Sequence, residues 1–66
     1  MAVLKVIEVL VNSPKSWEEA AQNAVTEASK TLRGIESIYI KNMEAKVDAN
    51  LIVDYRINAK ITFRVD

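Results

Sequence analysis

The chain is predicted to be an α+β domain of βαββ order, a three-stranded antiparallel sheet (order 1-3-2) packed on one α-helix. Three observations predict this. Residues 51–65 alternate apolar and polar side chains from Leu51 to Val65, with Ile52 the only apolar residue out of step; a period of two marks a half-buried strand. Trp17, Ala20, Ala21, Ala24, Val25, Ala28 and Leu32 follow i, i+3, i+4 spacing, one stripe of an amphipathic helix. Asp48-Ala49-Asn50 separates two β-rich runs as a short polar turn, making the last two strands antiparallel neighbours. A right-handed crossover from the first strand to the second then leaves a gap that the third fills.

Residues 2–11, Ala-Val-Leu-Lys-Val-Ile-Glu-Val-Leu-Val, read as the first strand. Apolar residues occupy both parities, as in a strand covered on both faces. Asn12-Ser13-Pro14-Lys15 reads as a turn. Ser16 stands three residues before Glu19, a capping-box pattern at a helix start. Glu18 and Glu19 occupy the first turn, where the helix dipole favours negative charge. Lys30 and Arg33 are expected in the last turn, with Gly34, the only glycine, as the left-handed terminator. The stripe is mostly alanine, which allows close approach to a sheet but buries little. Trp17 reads as a core or interface anchor, with ligand stacking as the alternative.

Residues 35–47 read as the second strand. Ile35, Tyr39, Met43, Ala45 and Val47 share one parity and Ile38 and Ile40 the other, a mid-strand change that predicts a bulge or burial on both faces. The third strand is the long one. Residues 51–65 span roughly 50 Å at ~3.3 Å per residue. A compact chain of this length has a radius of gyration of about 11 Å, a globule on the order of 28 Å across. The strand must therefore bend sharply or run onto neighbouring subunits.

Length and composition point the same way. The 66 residues form one domain, 1–66, too small to be more than marginally stable alone. The usual remedies are disulfides, a structural metal or oligomerisation. The sequence has no cysteine and no histidine, which excludes disulfides, thiolate or imidazole metal sites and histidine-based acid–base catalysis. A homo-oligomer is the remedy left.

Nine basic and nine acidic residues give no net charge, against the basic excess of nucleic-acid binders. No apolar run approaches the ~20 residues of a membrane span. Met1 leads into a charged, alternating strand without a signal-peptide pattern, so a cytoplasmic location is expected, with no membrane or nucleic-acid partner. There is no phosphate-binding glycine loop and no recognised metal spacing. Glu36, Glu44, Asp48 and Asp54 are lone carboxylates that either bind a hard cation or are solvated surface groups. No enzymatic activity is expected.

Several stretches resemble one family. The chain length, the βαββ order, the Ser13-Pro14-x-Ser16 turn, Ala28-Ser29-Lys30-Thr31-Leu32-Arg33 and the closing Tyr55-Arg56-Ile57…Ile61-Thr62-Phe63 are similar to the dodecins, in order and over nearly the whole chain. The resemblance implies a homododecameric shell that binds flavins such as FMN or riboflavin for storage and protection, without turnover. In flavin-binding dodecins a tryptophan early in strand two stacks on the isoalloxazine, and a glutamine after the strand-three tyrosine bonds its polar edge. Aligning Thr31-Leu32-Arg33 places Ser37 at the tryptophan position and Arg56 at the glutamine position. Ser37 has no ring; Arg56 keeps donors and a planar cation. Tyr39, on the parity of Ser37, is either a substitute ring or a core or interface residue. The family includes members without the tryptophan, some of them calcium-binding, and this chain resembles those more closely. The alternative ligand is accordingly a cation such as calcium, with its metal-binding residues unassigned. Pairing across a turn centred on Ala49 sets Ser37 near Ile61 and Arg56 near Asn42, about five residues or ~17 Å apart. A flavin touching both positions would have to lie between subunits.

Overall fold

The structure is a computed structural model that describes residues 2–65. Strand β1 runs Leu4–Ser13, helix α1 Trp17–Ala28, β2 Ile35–Asp48 and β3 Leu51–Arg64. The sheet order is β1-β3-β2 with both pairs antiparallel, as the sequence predicts.

β1 reaches two residues further than expected, through Asn12 and Ser13, which still pair with Arg56 and Tyr55 of β3. The turn chemistry assigned to the backbone of this stretch belongs to one side chain. Ser13 is buried, and its Oγ accepts from the backbone N–H of Lys15 (3.0 Å) and Ser16 (3.4 Å). The same hydroxyl donates to the Glu19 carboxylate at 2.5 Å. Ser16 caps α1 as predicted, its Oγ accepting from the Glu19 N–H at 2.9 Å. Glu19 is thus held from both sides, by Ser16 through its backbone and by Ser13 through its side chain.

The far end of α1 differs from expectation. The helix stops at Ala28, so Lys30 and Arg33 lie beyond its last turn. Ser29 Oγ donates to the Thr26 carbonyl at 2.7 Å, and the Lys30 and Thr31 N–H groups bond three residues back to Glu27 and Ala28. This local competition and the tighter i−3 bonding end the α-helix. Gly34 does have positive φ, +71°, but at the entry to β2. There its carbonyl accepts from the Arg64 N–H at 2.9 Å, and an added Cβ would lie 3.0 Å from Arg64 Cβ. The glycine serves a close strand crossing rather than a helix cap.

The β2–β3 turn holds two residues rather than three. Ala49 and Asn50 have φ of 50° and 66° between paired Asp48 and Leu51, the backbone of a type I′ hairpin. The predicted bulge in β2 is at Lys41, where pairing steps from Ile40 to Asn42. Residues paired across antiparallel strands share a face. Ile38 and Ile40 therefore face α1 before the bulge, and Met43 and Ala45, opposite Ile57 and Tyr55, share that face after it. Further shifts fall between Ile35 and Ser37 and between Lys46 and Val47.

The core is small. Ala20 of α1 meets Ile57 and Ala59 of β3, and Ala24 and Ile61 are buried as well. Val9, Val11, Trp17, Ala21, Ile38 and Ile40 pack around it. Alanine at the contact brings the helix close to the sheet, and the isoleucines supply most of the buried area. Only the middle of β3 is covered. Leu51 and Val53, expected on the buried face, are exposed together with Met43, Val47 and Ile52. Across the sheet, Leu4, Val6 and Leu10 of β1 are exposed too, so a single chain covers one face of β1 rather than two. The hairpin extends past the helix without a sharp bend, and the chain measures 51 × 20 × 13 Å with a Cα radius of gyration of 13.5 Å. That exceeds the ~11 Å of a compact chain of this length.

Candidate functional site

The sheet face away from α1 is set by the alternation of β3. Asp54, Arg56, Asn58, Lys60, Thr62 and Arg64 point opposite to the Ile57–Ile61 core. Their β2 partners lie on the same open face. Ser37 sits opposite Thr62, Tyr39 opposite Lys60, and Arg56 opposite Glu44. All three sequence-predicted residues therefore share one face. Tyr39 is 65% exposed, which removes its reading as a core residue of the single chain.

Sharing a face is not sharing a site. Arg56 is six residues along β3 from the partner of Ser37, or ~20 Å at strand spacing. The expected pairing of Ser37 with Ile61 and of Arg56 with Asn42 is corrected to Thr62 and Glu44. The two-residue turn moves both pairings by one residue; the shift between Lys46 and Val47 moves Arg56 by one more, and the bulge at Lys41 cancels that second step before Ser37. Ser37 and Tyr39 stand together on β2; Arg56 stands apart.

Several charges of this face are matched in pairs. Glu44 Oε1 lies 3.6 Å from Arg56 Nη1, and Glu36 Oε2 lies 3.7 Å from Arg64 Nε. Lys41 Nζ reaches Glu8 Oε2 at 3.6 Å, spanning from one edge strand to the other over β3. Asp54 Oδ2 accepts from Asn12 Nδ2 at 2.9 Å. Such exposed pairs contribute on the order of 0–1 kcal/mol each to stability. Among the described residues no three Asp or Glu side chains converge as a cation site would require.

Glu44, Ala45, Lys46, Asp54 and Arg56 line a recess of about 320 Å³. Behind it, on the helix side, Trp17 Nε1 donates to the Glu44 carbonyl at 3.0 Å. The indole also meets the Tyr55 ring edge-on, with centroids 4.9 Å apart and planes at 76°. Trp17 is an anchor, as its favoured reading had it. Sequence reasoning missed Glu44 as the partner of Arg56, because that pairing depends on register. A larger, mostly apolar groove of about 530 Å³ runs between β1 and α1, by Val9, Val11, Ala24, Ala28 and Leu32. It contains none of the three predicted residues.

The family model described as Dodecin matches residues 3–66. The chain is 34% identical over 65 residues to the calcium dodecin of Mycobacterium tuberculosis, covering 98% of this chain and 92% of that protein. The crystal structure of that antigen, described as having a novel calcium-binding site, superposes with a TM-score of 0.82 at 33% identity, covering 97% and 91% of the two chains. The dodecin of Streptomyces coelicolor gives a TM-score of 0.91 at 28% identity over 98% and 93%. The tt0972 protein of Thermus thermophilus gives 0.93 at 26% identity over 100% and 97%.

Proposed function

The chain belongs to the dodecin family, and from that premise we propose a non-catalytic homo-oligomeric shell that sequesters a small planar ligand, a flavin such as FMN or riboflavin. One observation carries this reading. Tyr39 presents a 65% exposed ring on the open face, beside the position where the family resemblance expects a stacking tryptophan. The ring of Tyr39 would take the stacking role that Ser37 cannot. Arg56, ~20 Å away along the strand, would come from another copy and donate to the polar edge of the ligand. The site is then complete only between subunits.

Self-association is supported independently. A chain 51 Å long with a core in only its middle leaves Met43, Val47, Leu51, Ile52 and Val53 for a neighbour to cover. A dodecamer is the assembly the family resemblance implies. No helix is long and apolar enough to cross a membrane among the described residues, and we assign the shell to the cytoplasm.

A second reading, a flavin-free shell that binds calcium, is favoured by the 34% identity to a calcium dodecin. Carboxylates such as Glu44 and Asp54 would then converge from several copies rather than one. The two readings separate in one experiment. The purified oligomer is titrated with FMN and riboflavin by fluorescence, and with Ca²⁺ by calorimetry after chelation. Saturable flavin quenching supports the first reading. Calcium heat without flavin quenching replaces it with the second.

A further inference from the structure

We infer that Lys60 receives the anionic substituent of the ligand stacked on Tyr39, so that the site prefers a phosphorylated flavin to the uncharged one. This rests on the flavin reading of the open face and names its ligand class more narrowly. Lys60 is half-buried and stands directly across the sheet from Tyr39, where paired residues hold their Cβ atoms about 4.5–5.5 Å apart. Glu8 of β1 completes the row on the other side of Lys60. The flanking rows carry no charge: Val6, Thr62 and Ser37 lie toward one end, Leu10, Asn58 and Asn42 toward the other.

Glu8 is the one carboxylate in these three rows, and it is engaged elsewhere, by Lys41 at 3.6 Å. Among the described residues Lys60 forms no ion pair. Lys41 and Lys60 together set two positive charges against the single Glu8, so the surface beside Tyr39 is left with a positive excess. Glu36, the next carboxylate along β2, is held by Arg64 at 3.7 Å. The recess that takes the ring edge is different. There Glu44 and Asp54 stand opposite Arg56 and Lys46, and an anion gains little by entering it.

A flavin carries its ribityl chain on the central ring, away from the polar edge that goes to Arg56 of another copy. With the ring on Tyr39, the end of that chain turns back to Lys60 without entering the recess. Lysine suits such a group, with its donors rotatable on a flexible stem. The ammonium gives the phosphate a charge-assisted hydrogen bond, whereas riboflavin ends in a neutral hydroxyl. Because Lys60 is only half-buried, the preference is modest and weakens with salt.

Riboflavin and FMN differ only by the phosphate, so their affinity ratio reads this effect directly. Dissociation constants for both are measured by fluorescence titration on the assembled parent, Lys60→Gln and Lys60→Arg, with light scattering to verify equal assembly. The parent is expected to bind FMN about three- to tenfold more tightly than riboflavin at low salt, and by less at high salt. Lys60→Gln should bring FMN down to the level of riboflavin and leave riboflavin unchanged. Lys60→Arg, which keeps the charge, should hold the preference. A parent without preference for FMN, an FMN affinity unmoved in Lys60→Gln, or an equal loss of both ligands there overturns the inference while leaving flavin binding intact. Absence of quenching by either flavin in all three proteins ends the flavin reading itself, and this inference with it.

Discussion

The indole N–H of Trp17 bonds to the backbone carbonyl of Glu44 at 3.0 Å, so the first residue of the helix holds the strand that carries the ion-pair partner of Arg56. With the edge-on contact to Tyr55, one side chain ties the helix start to both strands of the hairpin. Replacing Trp17 by Phe keeps an aromatic contact and loses the hydrogen bond, an expected cost of about 1 kcal/mol. Trp17→Ala also removes the ring and should cost about 2–3 kcal/mol, below the usual value for a fully buried tryptophan because this one is only partly buried. Denaturant unfolding at fixed protein concentration checks both. Equal stability of the two variants would show that the ring contributes nothing.

Gly34 holds φ at +71° with Arg64 Cβ only 3.0 Å from where its own Cβ would lie. Gly34→Val meets both the left-handed backbone penalty and this contact, so a loss of about 2 kcal/mol or more is expected. Gly34→Asn tolerates the backbone better and should fall between valine and glycine. Thermal melts of the three proteins give the order. A valine variant melting with the parent would place the strain elsewhere.

The exposed apolar tip predicts a stable homo-oligomer much larger than a dimer, a dodecamer by family. Aspartate at both Val47 and Leu51, which are 61% and 69% exposed, should leave the helix-covered core intact but lower the assembled mass. Light scattering with circular dichroism tests this. A folded 7.4 kDa monomer of the parent at micromolar concentration is incompatible with it.

Ser37 lies on the open face beside Tyr39 but has no ring. Ser37→Trp should raise flavin affinity about tenfold or more, given ~1–3 kcal/mol per stacked base by analogy, and quench the bound flavin further. Arg56→Ala should weaken whatever binding the parent has. Unchanged affinity and fluorescence in an assembled Ser37→Trp protein would remove this site and favour the calcium reading.

The parts of this fold that show in the sequence are those written in side-chain chemistry. The alternation of β3 separates a core face holding Ile57 and Ile61 from a polar face holding Arg56 and Lys60, and Ser16 marks the helix start through its own hydroxyl. The helix end did not show because the turns after Ala28 keep the apolar spacing going to Leu32, which still lines the groove against β1. Gly34 announces a left-handed backbone but not which element requires it. Of the site, the common face of Ser37 and Tyr39 followed from parity, whereas the pairing expected of Ser37 with Ile61 set it on the face opposite Arg56. The partner of Arg56 did not follow either, because its register is set by the two-residue turn and the shift between Lys46 and Val47. Ile38 and Ile40 against Met43 and Ala45 show that β2 also has a bulge, but nothing in the residue types puts it at Lys41.

β1 pairs with β3 from Arg64 back to Tyr55 and no further, so the backbone of Leu51–Asp54 has β2 as its one strand neighbour. A two-stranded ribbon is at best marginally stable in water. In an assembly held through this tip, the amides of Ile52–Asp54 exchange hydrogen at a rate set by subunit dissociation. Those of Ile57–Ile61, under the helix and between two strands, exchange only on global unfolding. One continuous strand thus carries two separate clocks, and isotope exchange along it distinguishes loss of partners from loss of fold.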